Sequence, residues 1–305
     1  MIRHTRHHYI DSAYMYGFAV ISIIILSNFH SHTFKKMESN VVQKNNPSAS
    51  QLFKKESFTH ISIQGKAFVV YDIVEGKVIA EKNGEMIVPL ASITKVMTAV
   101  TARSHYSKNT KIIVDAKSID GSYDLGLKNK QVFDLDELLK YTLVFSSNDG
   151  AQIVADGLGG RSHFISVMNN DAHNLGLDMK FNHPAGLDEG TLMGGTGSAL
   201  SVARLTALAH TKFPELFDAT TKTRVSVQSS TGKIIGIPNT NQSVTSFPGI
   251  TFSKTGYTES AGGNLVVIVD IVIGHPVAIV VLGSTREGRF SDVEKLYTAL
   301  QESVK

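Results

Sequence analysis

Two apolar runs leave this chain little freedom of fold. Leu265 to Ile273 and Val277 to Leu282 are separated only by Gly274-His275-Pro276. Neither run has a polar face, so both faces must be covered, and the pair reads as a buried hairpin. A third extended run, Ile250 to Thr255, precedes them. Nearer the N-terminus, Lys66 to Ile73 is apolar and β-rich, Glu75-Gly76 makes a turn, and Lys77 to Glu81 returns, which is a second hairpin signal. From about Thr98 to Val244 the apolar spacing is mostly helical. Leu135, Leu138, Leu139 and Leu143 follow Asp134 as an expected cap, Arg161 to Leu175 is amphipathic, and Ser201 to Lys212 stops at Pro214. Ile112 to Val114 is a short strand candidate and Gly186 to Gly197 a Gly-rich loop. Ser291-x-x-Glu294 reads as a capping box opening a last helix with Val293, Leu296, Tyr297 and Leu300. The expected class is α/β (α+β): a mostly antiparallel sheet flanked by helices, with an inserted all-α lobe over about residues 98–245.

The first 56 residues differ from the rest. Ala13 to Phe29 is apolar and about long enough to span a bilayer. No small-x-small cleavage pattern follows it, so residues 1–30 are expected to be a membrane anchor, or else a signal segment. Residues 31–56 read as a polar linker and 57–305 as the main domain. Seven Lys/Arg against three acids give residues 1–56 a charge of +4, so the whole-chain +3 leaves −1 for the remainder. A near-neutral domain argues against nucleic acid as a partner. There is no Cys, which removes disulfides and thiol chemistry. Five of the histidines (His4, His7, His8, His30, His32) lie in the N-terminal segment and no H-E-x-x-H occurs, so neither a metal nor another cofactor is expected. His173 and His183 read as structural.

Ala91-Ser92-Ile93-Thr94-Lys95 opens a run in which Ile93, Val96, Met97 and Val100 recur at helical spacing. Three residues is slightly less than a turn, so the Lys95 amine lies within reach of the Ser92 hydroxyl. A serine becomes a strong nucleophile when a neighbouring base takes its proton, and a lysine serves as that base when burial or a nearby cation lowers its pKa. Alone, S-x-x-K is a weak signal. Two further sets stand in the expected order: Ser146-Ser147-Asn148 after a helical run, and Lys254-Thr255-Gly256 closing an extended one. Together the three form the signature of serine β-lactamases and penicillin-binding proteins.

Residues 66–300 resemble the serine-type D-alanyl-D-alanine carboxypeptidases, the low-molecular-mass penicillin-binding proteins. Pro89 to Thr98 is similar to their nucleophile helix, and Ser146 to Ala151 to their S-x-N loop, where Gly is the commoner middle residue. Lys254 to Thr258 with Ala261 to Leu265 is similar to their K-T-G strand and its return, and Asn182 to Asp188 to a further family stretch. The resemblance implies that Ser92 attacks the carbonyl between two terminal D-alanines of a peptidoglycan stem peptide, that Lys95 is the base, and that Ser146 and Lys254 pass a proton to the leaving amine. Asn148 would hold a substrate amide. Thr255 and Gly256 would line a strand edge, with the backbone N–H groups of Ser92 and Tyr257 as the oxyanion hole. β-Lactams would be covalent inhibitors. An arginine that the family often carries on the hairpin before K-T-G has no counterpart around Val225 to Ile237 except Lys233, so Arg289 is the candidate for the substrate's terminal carboxylate. Many members have a C-terminal β-domain and anchor; here the N-terminal segment is expected to do the anchoring, with the catalytic domain outside the cytoplasm. The alternatives are a D,D-endopeptidase, a β-lactamase with Glu189 as the deacylating base, and a binding protein without turnover.

Overall fold

The computed structural model describes residues 52–119, 126–232 and 234–305. The expected membrane-spanning run, nearly all of the expected linker, and Lys233 lie outside them. Among the described residues no helix is long and apolar enough to cross a membrane.

The first hairpin is β1 (Ala67–Asp72) and β2 (Lys77–Lys82), followed by the short strand β3 (Val88–Pro89) and the helix α1 (Thr94–His105). The lobe then runs through β4 (Lys111–Ile113), β5 (Val132–Asp134), α2 (Leu135–Val144), α3 (Asn148–Gly157), α4 (Arg161–Asn174), β6 (Met179–Phe181), β7 (Gly195–Gly197), α5 (Ala199–Lys212), α6 (Pro214–Asp218), β8 (Arg224–Gln228) and β9 (Ile234–Pro238). The chain closes with β10 (Ile250–Thr258), β11 (Gly262–Val272), β12 (His275–Ser284) and α7 (Gly288–Ser303). Strands β10-β11-β12-β1-β2 form one antiparallel sheet in that order. The expected class holds. The lobe is helical in bulk and also carries short ladders, β4 with β5, β8 with β9, and β6 with β7, the last extended by β3 from before the lobe.

The continuous apolar runs have the cause inferred for them. Alternate residues of one strand enter two different cores. Val266, Ile268, Ala278, Val280 and Leu282 face the lobe, while Leu265, Val267, Val269, Val277, Ile279 and Val281 face α7 through Val293, Leu296 and Leu300. Each of the Val, Leu and Ile side chains contributes roughly 1.5–3 kcal/mol on burial. Helix α1 is buried from Thr94 to Ala102 and is the axis of the lobe. Packing on the α7 side begins at Phe53, which bridges to Val304 and is 2% exposed, a few residues before the expected boundary at 57.

Two helix starts differ from expectation. Asp134 makes no cap bond to α2; its carboxylate instead takes the Lys111 ammonium at 2.6 Å, because β4 pairs beside β5. Helix α7 begins at Gly288, so Ser291 is inside it and its hydroxyl donates to the Gly288 carbonyl at 3.0 Å rather than capping.

Candidate active site

Ser92 lies on a single 3₁₀ turn, Ala91–Ile93, that feeds α1. Ala91 has φ 48°, a left-handed value that a residue with a Cβ adopts only when its surroundings impose it. Those surroundings are specific. The Leu90 N–H donates to the Gly195 carbonyl at 2.8 Å, which ties the turn to β7. The Asn264 amide of β11 donates to the Pro89 and Leu90 carbonyls, both at 3.1 Å, and accepts the Gly283 N–H at 2.7 Å. Gly256 of β10 leaves the remaining space: a Cβ there would stand 2.8 Å from the Leu90 carbonyl oxygen.

Helix α1 carries Lys95 one turn beyond Ser92. Its ammonium donates to Ser92 Oγ at 2.8 Å, to Asn148 Oδ1 at 2.9 Å and to the Ala185 carbonyl at 2.9 Å. Asn148 opens α3, whose cap is the Ser147 hydroxyl accepting the Gly150 N–H at 2.7 Å. Serine in place of the commoner glycine therefore fixes the helix start that presents Asn148. Ser146, two residues earlier, has φ 60° and accepts from Lys254 Nζ at 2.8 Å. Lys254 also donates to the Thr255 carbonyl at 2.7 Å. The Ser146-Ser147-Asn148 loop thus links both lysines. Ser92, Ser146 and Asn148 are half-buried at the cleft surface, whereas Lys95 and Lys254 are 0% and 2% exposed beneath them.

Burial first, then the positive charges of Lys95 and Arg289, push the Lys254 ammonium well below the ordinary lysine range. Two amines sharing one dry site disfavour the doubly protonated state, which favours a free base on one of them. Strand β10 is an edge of the five-stranded sheet beside the Ser92 turn; part of that edge is already occupied, the Ser253 N–H donating to Thr220 Oγ1 at 3.0 Å and the Thr255 carbonyl accepting from Lys254. Thr255 Oγ1 lies 2.7 Å from Thr240 Oγ1, which fixes its hydroxyl at that edge. The Tyr257 hydroxyl donates to Glu259 at 2.9 Å, and the Arg286 guanidinium stands 4.9 Å from its ring centroid.

Arg289 sits in the first turn of α7, 9% exposed, and Nη1 donates to the Gly256 carbonyl at 2.8 Å. Its Nε is buried with no hydrogen-bond partner among the described residues. Arg289 is therefore behind the K-T-G strand with donor capacity left over. Glu189 is exposed and pairs with Arg161, so its carboxylate is committed to a surface ion pair. Among the described residues no group of three or more acids and histidines is placed to hold a metal ion.

The structure brings Ser92, Lys95 and Asn148 into one hydrogen-bonded group and Ser146 with Lys254 into another, with Thr255, Gly256 and Tyr257 following along β10. Motif reading missed Asn264, which docks the turn carrying Ser92; His183, whose Nδ1 accepts the Ala185 N–H at 2.9 Å; and Asp188, which accepts from the Ser260 hydroxyl and joins the Gly-rich loop to the β10–β11 turn. An Asn between a Gly-Gly pair and a continuous apolar run, Gly262-Gly263-Asn264-Leu265, was the sequence hint of the first.

The family model for D-alanyl-D-alanine carboxypeptidases (peptidase S11) matches residues 53–286. The chain is 29% identical over 209 residues to a D-alanyl-D-alanine endopeptidase of Haemophilus influenzae, covering 67% of this chain and 70% of that protein. It is 27% identical over 247 residues to the D-alanyl-D-alanine carboxypeptidase DacF of Bacillus subtilis, covering 78% and 62%. It thus spans about two thirds of the length of such relatives. Among solved structures, a D-alanyl-D-alanine carboxypeptidase from Mycobacterium tuberculosis superposes with a TM-score of 0.71 at 25% identity, covering 78% of this chain and 91% of that one. Penicillin-binding protein D2 from Listeria monocytogenes, in its ampicillin-bound form, gives 0.68 at 26% identity, covering 79% and 98%. With three motifs meeting on one sheet edge and a family match over most of its length, the chain belongs to the D-alanyl-D-alanine carboxypeptidase family of serine peptidases.

Proposed function

We propose that this protein is a penicillin-sensitive D-alanyl-D-alanine carboxypeptidase that removes the terminal D-Ala of peptidoglycan stem peptides through a Ser92 acyl-enzyme. The observation that carries the reading is the contact of Ser92 with a fully buried lysine, Lys95, at 2.8 Å beside the edge strand of the sheet. The peptide would lie along β10 as an added strand, with its backbone held by Thr255 and by the Asn148 amide. Lys95, in its neutral form, takes the Ser92 proton as Oγ attacks the penultimate carbonyl. The Ser92 and Tyr257 N–H groups receive the oxyanion. Ser146 gives its proton to the leaving D-Ala nitrogen and is re-protonated by Lys254. Water then attacks the ester, and Ser92 recovers its proton. Arg289 is the candidate clamp for the free carboxylate of the substrate.

A second reading is D,D-endopeptidase, since several relatives carry that name. The same site would act on a cross-link. For either substrate the domain works outside the cytoplasm, tethered through residues 1–30. The experiment is release of free D-alanine from a peptide ending in D-Ala-D-Ala, run beside a cross-linked dimer, with Ser92→Ala as control. Release from the linear peptide that the control abolishes supports the carboxypeptidase. Cleavage confined to the dimer would replace it with the endopeptidase.

A further inference from the structure

A neutral lysine has two N–H donors and one electron pair. If Lys95 is to accept the Ser92 proton, that pair must face Ser92, and the two N–H groups must be occupied elsewhere. Asn148 Oδ1 and the Ala185 carbonyl, each 2.9 Å from Nζ, are placed to occupy them. The aim of the base therefore depends on what fixes the Ala185 carbonyl.

That carbonyl sits on a tight turn. The Gly186 N–H donates to the His183 carbonyl at 3.1 Å, and Thr98 Oγ1 donates to the Pro184 carbonyl at 2.6 Å. Gly186 has φ 74°, and a Cβ there would lie 2.0 Å from the Ala91 carbonyl oxygen, so the turn abuts the nucleophile turn itself. The one N–H at the centre of the turn, that of Ala185, is taken by His183 Nδ1 at 2.9 Å. Ala185 is fully buried and His183 is 7% exposed. A backbone N–H can only donate, so Nδ1 must be the unprotonated nitrogen and the ring proton sits on Nε2.

We propose that His183 is a positioning residue for Lys95: its Nδ1 holds the Ala185 N–H and so keeps the Ala185 carbonyl aimed at the Lys95 amine. The inference rests on the reading of Ser92 as nucleophile and Lys95 as base. The surroundings keep the ring in the state this needs. Burial, above all, lowers the His183 pKa from 6.5 to about 4; Arg161 of α4 and Lys95 of α1 act in the same direction and Glu189 of the following loop opposes them. The acceptor is therefore present at neutral pH and is lost only as the pH falls through about 4.

The test uses the full chain. Rates of acylation by a penicillin are followed by intact mass from about pH 5 to pH 10 for wild type, His183→Ala and His183→Asn. An Asn side chain can take the N–H two residues on, as in an Asx turn, so it replaces the acceptor without the ring. His183→Ala should lower the plateau rate at least ~10-fold and move the acid limb to lower pH, because an ammonium that loses a carbonyl acceptor gives up its proton more readily. His183→Asn should restore both, to within about threefold in rate. Wild-type kinetics in His183→Ala, or an Asn variant as impaired as the Ala one, overturns the proposal. Should His183→Ala not fold, the imidazole nitrogen shifts of the wild type decide. An Nε2–H tautomer that titrates near 4 supports the proposal, and free titration near 6.5 overturns it. A folded wild type that is never acylated overturns the Ser92 reading and this inference with it, whereas an acylated wild type with an indifferent His183→Ala overturns this inference alone.

Discussion

Replacing Asn264 by Ala should separate the nucleophile turn from the sheet. The side chain is fully buried and makes three hydrogen bonds, two to the carbonyls of Pro89 and Leu90 and one from the Gly283 N–H. The Leu90 carbonyl keeps a second partner, the Ile93 N–H at 3.2 Å, so its loss is the mildest. At about 1 kcal/mol for each bond, with the mild one discounted, the variant should lose about 2–3 kcal/mol. In a domain of this size each kcal/mol lowers the melting temperature by about 2–4 °C, so a fall of roughly 4–12 °C is expected. The larger effect should be kinetic. The two lost carbonyl bonds fix the two residues just before Ala91, whose strained φ of 48° depends on them, and a misplacement of the nucleophile by about 1 Å costs on the order of 10²-fold in rate. Calorimetry and the rate of penicillin acylation on one preparation measure both. A variant that melts within about 2 °C of wild type and acylates at the wild-type rate would refute the claim that Asn264 holds the turn.

Arg289→Ala should reduce D-alanine release by about 10- to 100-fold, as expected for losing a hydrogen-bonded charge pair, while acylation by a β-lactam ester changes little. Equal losses on both substrates would mean that the residue acts by supporting Gly256, not by binding carboxylate. Lys254→Met should flatten the pH dependence of stability. The folded-state pKa of Lys254 lies well below the unfolded 10.5, so between those values the native state binds fewer protons and stability rises with pH, and it is lost as pH falls through the folded value. The wild type should gain more than Lys254→Met in urea midpoint between about pH 7 and pH 10; parallel curves would contradict the burial argument.

The parts of the fold legible in sequence were those set by neighbours along the chain. The β11–β12 hairpin announced itself because both its faces are buried, and α1 because its apolar spacing is helical. The three motifs were legible because each joins residues within three positions along the chain. What sequence did not reveal depends on distant partners. Asn264 meets Pro89 across 175 positions, and the Ala185 carbonyl meets Lys95 across 90. The Asp134 cap failed for the same reason: Lys111, 23 positions away, competes for its carboxylate. His183 read as structural because a histidine accepting a backbone N–H looks, in sequence, like any buried histidine.

The measurement that bears most directly on the central claim is the intact mass of the full chain after exposure to a penicillin, followed by peptide mapping of the adduct. The account predicts one covalent adduct, carried by the peptide containing Ser92 and absent from Ser92→Ala. An adduct on a different residue, or an unchanged adduct in Ser92→Ala, would contradict it.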